Sequence, residues 1–224
     1  IPMIFPPYPG RGEFEIYATM DTAKEVGGDF YDFYFVGENK LGFLIADVSG
    51  KGIPAAMFMM TAKTIIKGYA EAGRAVDEVF TVANAKLCES NEAGMFVTAW
   101  MGVLDTTTGK IEFANAGHNP PLVRHADGSF EFLKSKPGFI LAGMEGLKYR
   151  KNELVLSAGD EIYLYTDGVT EATNAENELY GEKRLVKLLD SLHGLSGEDI
   201  CRAVKADIDA FAGDAPQFDD ITML

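Results

Sequence analysis

Segments with strand character and segments with helical spacing come in blocks along this chain, and that order constrains the fold more than any other feature. Phe14 to Asp21, Gly28 to Val36 and Leu41 to Val48 are rich in aromatic and β-branched residues and read as strands. Gly37 to Lys40 reads as the hairpin connection between the last two. The spacing turns helical over Ile53 to Ala70, where Pro54 suits a first turn, and again over Val76 to Glu89 beyond Gly73. Strand patterns return at Phe96 to Leu104, Lys110 to Asn115, Leu122 to His125, Phe130 to Leu133, Leu147 to Leu156 and Glu161 to Tyr165, with Asp127-Gly128 as a turn signal. Helical segments follow at Glu182 to Leu192 and Glu198 to Phe211, then a short strand from Ile221 to Leu224. Strands grouped with strands and helices with helices predict an α+β fold: two packed antiparallel β-sheets, a β-sandwich, flanked by pairs of α-helices. No Pro/Gly-rich linker interrupts the pattern, so residues 1–224 read as one domain.

The formal net charge of −14 disfavours partners with anionic backbones or headgroups, so neither nucleic acid nor a membrane surface is expected. No apolar run approaches the roughly 20 residues that span a bilayer. Ile1 to Gly10 is apolar but carries four prolines and no basic region before it, unlike a signal peptide. The abrupt start reads as a fragment of a longer chain. Cys88 and Cys201 fit no metal or CxxC spacing, and a reducing compartment is expected.

Aspartates mark the ends of apolar runs. Asp29 follows Gly27-Gly28, Asp47 precedes Val48-Ser49-Gly50-Lys51-Gly52, Asp167 stands in Tyr163-Leu-Tyr-Thr-Asp-Gly-Val169, and Asp219 in Phe218-Asp-Asp-Ile-Thr222. Aspartate is poor in strand interiors, so a charged group after such a run is poised at a sheet rim. Glycines beside it let backbone approach closely. Each alone is an ordinary solvated turn. Gathered together, such carboxylates would repel one another unless a hard cation such as Mg²⁺ or Mn²⁺ sat between them.

The segments KEVGGDFYD, ADVSGKG, FVTAWMGVLD, NAGHNPP, YTDGVTEA and DDIT, in this order, resemble the metal-dependent protein phosphatase (PPM, protein phosphatase 2C-like) family, in its bacterial branch typified by stage II sporulation protein E and RsbU. The resemblance implies an αββα sandwich with two Mn²⁺ or Mg²⁺ ions at its edge. Asp47 would bridge both ions. Asp29 and the Val48 backbone carbonyl would hold one, and Asp167 and Asp219 the other. Asp32 and Asp220 would support them from a second layer. The implied activity is hydrolysis of phosphoserine or phosphothreonine on a protein, by attack of a metal-activated water.

Departures from the family's pattern are specific. Ser49 stands where the better-known eukaryotic members have a histidine, and their phosphate-binding arginine has no match. Lys24 and Lys51 are the candidates for that role. The extra flap segment of many relatives is expected to be absent, since Asp127 to Glu161 reads as strands and tight turns.

Other residues receive plainer readings. His118 is expected to be a strand-end histidine bonded to a loop rather than a catalytic base, and His125 and His193 to be surface residues. Lys63 and Lys67 are placed on the wet face of their helix, with Met57, Met60 and Ile65 opposite. Met57 to Met60 would then pack between helix and sandwich, and tilting of that helix near Val48 suggests a regulatory role for Met57 and Met60. Gly27-Gly28-Asp29-Phe30 resembles a GGDEF signature without its glutamate and is set aside.

The expected partner is a phosphorylated STAS-domain anti-anti-sigma factor in the cytoplasm. A sensor module would precede the domain in the parent chain, with membrane anchoring through that region and a homodimer as options. Rival readings are a non-catalytic, partner-binding relative and a two-metal phosphodiesterase, the latter disfavoured by the acidic balance.

Overall fold

The computed structural model describes residues 12, 14–89, 91–126 and 128–224. The proline-interrupted start and Asp127 of the expected turn lie outside the described residues. In chain order the elements are β1 (Thr19–Asp21), β2 (Phe30–Phe35), β3 (Lys40–Val48), α1 (Ile53–Glu71), α2 (Val76–Cys88), β4 (Val97–Asp105), β5 (Lys110–Ala116), β6 (Leu122–Arg124), β7 (Glu131–Phe132), β8 (Asn152–Val155), β9 (Glu161–Tyr163), α3 (Asp167–Thr170), α4 (Glu182–Ser191), α5 (Gly197–Ala212) and β10 (Ile221–Met223).

One antiparallel sheet has the order β2-β3-β4-β5-β8. The second layer is made of β7-β6-β9 and the pair β1-β10. These two pieces are joined where the chain beyond β9 runs beside β10: Leu164 and Leu224 exchange N–H···O bonds of 2.7 and 2.9 Å, and Thr166 N–H donates to the Thr222 carbonyl at 3.0 Å.

The period-2 alternation of strands sorts side chains into layers. Tyr31 and Phe33 of β2, Leu41, Phe43 and Ile45 of β3, Trp100 of β4 and Phe113 of β5 point between the sheets and meet Ala18, Leu164 and Leu224. The alternate residues, Phe30, Tyr34, Leu44, Ala46 and Val48, face α1 and α2. Tyr163, Tyr165, Ile221 and Met223 face α4 and α5 on the far side. The result is four layers, αββα, as expected. Leu44, Ile45, Ile66, Phe80 and Trp100 are fully buried, and each such side chain contributes about 1.5–3 kcal/mol relative to an exposed one.

The expected orientation of α1 is corrected. Its inward residues are the small Ala55, Ala56, Ala62 and Ala70 with Ile66, while Met57 and Met60 are 67% and 53% exposed. Lys63 and Lys67 are instead drawn partly inward to Asp32, at 3.7 and 3.3 Å. A carboxylate buried on that face of β2 is costly without a cation, and this outweighs the pull of the methionines. Ile65, Phe58 and Met59 are partly buried against the core.

The strand expected over Leu147 to Leu156 forms only at Asn152–Val155. The chain before it is held by side chains instead. Buried Asn84 of α2 accepts from Ala142 N–H at 2.9 Å and donates to the Met144 carbonyl at 2.9 Å. No helix among the described residues is long and apolar enough to cross a membrane.

Candidate active site

Alternation within the strands delivers two acids to one place. Asp29 shares the inward parity of Tyr31 and Phe33, and Asp47 that of Phe43 and Ile45. Residues 30 and 46 are paired across β2 and β3, so Asp29 and Asp47 emerge from neighbouring strands at the same end of the sandwich. Gly28 lies against the Val48 carbonyl: a Cβ there would stand 2.8 Å from that oxygen. Glycine is therefore required for the two backbones to close.

The opposite sheet supplies the rest. Thr166 continues the inward parity of Leu164, and Thr222 that of Leu224. Their hydroxyls donate to the same oxygen of Asp29, Oδ2, at 2.7 and 2.6 Å. Asp167 opens the single turn α3, and Asp219 and Asp220 lead into β10. Gly168 lets that turn pass β10, since a Cβ there would lie 2.0 Å from the Asp220 carbonyl.

Asp220 serves as a backbone anchor. Its Oδ1 accepts from Ala23 N–H at 2.9 Å, and its Oδ2 from Gly28 N–H at 2.8 Å and Asp29 N–H at 3.4 Å. The bend that this gathers needs Gly27, where a Cβ would sit 2.3 Å from Oδ2. Asp220 thus fixes the loop that presents Asp29.

The electrostatics are those of crowded like charges. Burial, then the charge of Asp47, raises the Asp29 carboxyl well above the ordinary range, against the pull of its threonine bonds. Burial and the charge of Asp167 push Asp47 up to about 7, against a hydrogen bond with Asp29. Asp167 is raised by burial, Glu171 and Asp219. Among the described residues no basic side chain forms an ion pair with Asp29 or Asp47. Among the described residues Lys51 alone forms an ion pair with the group, with Nζ 3.0 Å from Asp219 Oδ2.

An all-oxygen, acidic donor set with mutually repelling members suits a hard divalent cation, and Asp29, Asp47, Asp167, Asp219 and the Val48 carbonyl are the groups that could hold one. Among the described residues no three His, Cys, Asp or Glu side chains stand close enough together to form a metal-holding set. Asp29 Oδ2 accepts from its two threonines, and Asp219 Oδ2 faces Lys51.

The remaining expectations divide. Asp32 is not brought to this cluster, because it lies three residues along the strand from Asp29 and so projects from the opposite face, to Lys63 and Lys67. Lys24 is exposed in the loop next to Ala23. The exposed Met57 and Met60 do not form the expected link between helix and sandwich. His118 is buried, its Nδ1 2.9 Å from Thr98 Oγ1 on β4. His125 and His193 are at the surface. The sequence reading missed Thr166 and Thr222, although both stand inside motifs it singled out. The signal was their inward parity next to Asp167 and Asp219.

Comparison with known proteins agrees with this fold. The chain is 30% identical to the phosphoserine phosphatase RsbU of Bacillus subtilis, over 88% of this chain and 58% of that protein. It is 28% identical to protein IcfG of Synechocystis, over 96% of this chain and 38% of that one. The chain therefore spans well under two thirds of these curated relatives. The SiaA-PP2C domain of Pseudomonas aeruginosa superposes with a TM-score of 0.81 at 22% identity, covering 92% of this chain and 83% of that one, and shares the fold. The RsbU and RsbW domains of a Mycobacterium tuberculosis protein give a TM-score of 0.76 at 26% identity, covering 92% and 58%. Residues 37–224 match the stage II sporulation protein E (SpoIIE) family, and the chain belongs to that family, in the PP2C-type phosphatase fold.

Proposed function

We propose that this domain is a Mn²⁺- or Mg²⁺-dependent phosphatase that hydrolyses phosphoserine or phosphothreonine on a protein partner. The observation that carries the reading is buried Asp29 beside half-buried Asp47, in the field of Asp167, Asp219 and Asp220, without enough positive charge of the protein's own. Two divalent cations bound there would activate a water for in-line attack and offset charge on the phosphoryl group.

The chain's residues prepare that chemistry. Asp47, bonded to Asp29 and within the field of Asp167, is the side chain that would serve two ions. Thr166 and Thr222 orient Asp29 through one oxygen only. Asp220 fixes the loop behind it through the backbone. The rim carries the exposed Phe218, 71% accessible, where a folded phosphoprotein can approach. The same reading takes a STAS-domain anti-anti-sigma factor as substrate, in the cytoplasm. Support comes from the resemblance of the motifs and from the relatives named phosphoserine phosphatases.

The test is phosphate release from a serine-phosphorylated STAS protein with and without Mn²⁺. Cation-dependent release, abolished by Asp47→Ala and by Asp167→Asn in folded protein, is the expected result. Turnover of a dinucleotide instead of the phosphoprotein would replace this reading with a phosphodiesterase. Binding of the phosphoprotein without any turnover would leave only a docking role.

A further inference from the structure

Lys51 is committed inside the acidic cluster rather than presented to a ligand. Its Nζ lies 3.0 Å from Asp219 Oδ2, donates to the Phe218 carbonyl, and stands 3.6 Å from the centre of the Phe218 ring. Phe218 is 71% exposed, so its ring covers the ammonium without being buried itself. Gln217 holds the same loop from the other side, donating to the carbonyls of Asp21 and Asp219 at 2.9 and 2.8 Å.

Both oxygens of Asp219 are thereby occupied. Oδ1 accepts from Asp220 N–H at 2.9 Å, and Oδ2 faces Lys51. A cation that needs Asp219 must take an oxygen away from one of these donors. The backbone N–H is fixed at the start of β10, whereas the lysine is a flexible stem with a compact charge. The ammonium is the partner that can leave.

We propose that Lys51 is an internal cation that a divalent ion must displace from Asp219, so that this side chain sets the free-cation concentration at which the site is completed. The inference rests on the metal reading above. It assigns Lys51 to regulating cation occupancy, not to phosphate capture. The Phe218 ring and carbonyl strengthen the hold, and the loop at 217–219 is released from Lys51 as the ion arrives.

Calorimetric titration of Mn²⁺ into the chelator-treated 224-residue chain tests this without reference to turnover. Lys51→Met should tighten the Asp219-dependent binding step about fivefold, the factor matching the upper end of an exposed ion pair's worth. Phe218→Ala, which leaves the charge unchanged, should tighten it less but in the same direction. Lys51→Arg should leave it nearly unchanged. Unchanged or weaker Mn²⁺ binding in both Lys51→Met and Phe218→Ala overturns the inference, as does weakened inorganic phosphate binding in Lys51→Met with Mn²⁺ affinity intact. A wild-type chain that takes up no Mn²⁺ removes the metal reading itself and this inference with it. If Lys51→Met fails to fold by circular dichroism, Phe218→Ala decides the matter.

Discussion

Asp29 and Asp32 lie at one end of the same stretch of chain, three residues apart, and are buried to the same degree, 2% and 1% exposed. Their surroundings are opposite. Asp32 projects toward α1, which sends Lys63 and Lys67 to meet it. Asp29 projects between the sheets, where it meets two hydroxyls and the charges of two other acids, Asp47 and Asp220. One carboxylate is neutralised by the fold that buries it. The other is kept short of positive charge. The fold is therefore able to supply lysines to a buried acid on this strand, and the deficit around Asp29 is a property of the site rather than of the scaffold.

That contrast can be broken most directly at Asp29. Asp29→Asn should lower Mn²⁺-dependent turnover of a phosphoprotein at least about 100-fold, while leaving the chelated protein as stable as wild type or more so, because it removes a repelling charge. Parallel kinetics and urea unfolding check this, and a large loss of stability in that variant would erase the distinction between the two acids. Gly168→Ala attacks the packing that brings Asp167 past β10. Its Cβ has no room beside the Asp220 carbonyl, and a loss of about 3 kcal/mol in urea unfolding is expected.

Asp32→Asn should behave in the opposite sense to Asp29→Asn. It leaves Lys63 and Lys67 without their acid, and since both lysines keep partial solvent access the cost should be about 2 kcal/mol of stability. An unfolding midpoint equal to wild type would mean that the lysines do not neutralise Asp32. The smallest effect concerns His118, whose burial lowers it to about 4 against a weaker upward pull from the Tyr165 backbone. For a base lowered in the folded state, stability is complete above the unfolded value near 6.5 and declines as pH falls toward 4. About 1 kcal/mol should be lost between pH 7.5 and 5.5 on this account. Imidazole NMR should show His118 still neutral at pH 5.5, and a midpoint near 6.5 would contradict its burial.

The sequence made the layers readable because inward and outward residues of β2 and β3 alternate cleanly, and because six motifs occur in family order. The acids at positions 29, 47, 167 and 219 were legible for the same reason. What could not be read was which face a polar residue takes when two elements compete for it. Asp32 was assigned to the site by its nearness in sequence to Asp29, but strand parity sends it the other way. Met57 and Met60 were assigned inward by hydrophobicity, but lysines answering a buried charge took that position. Likewise, the irregular chain around Ala142 and Met144 is set by Asn84, 58 residues away from Ala142, and local pattern carries no trace of such a bond.

Asp29 is bonded across 137 and 193 residues to Thr166 and Thr222. Those bonds tie the first strand of one layer to the closing strand of the other. On the proposed function, a chain still being synthesised would have no complete centre until Ile221–Met223 docks, and a relative slide of the layers by even one residue would take the threonines off the acid. Whatever leans on the interface between the two sheets thus has a mechanical handle on the chemistry at its edge.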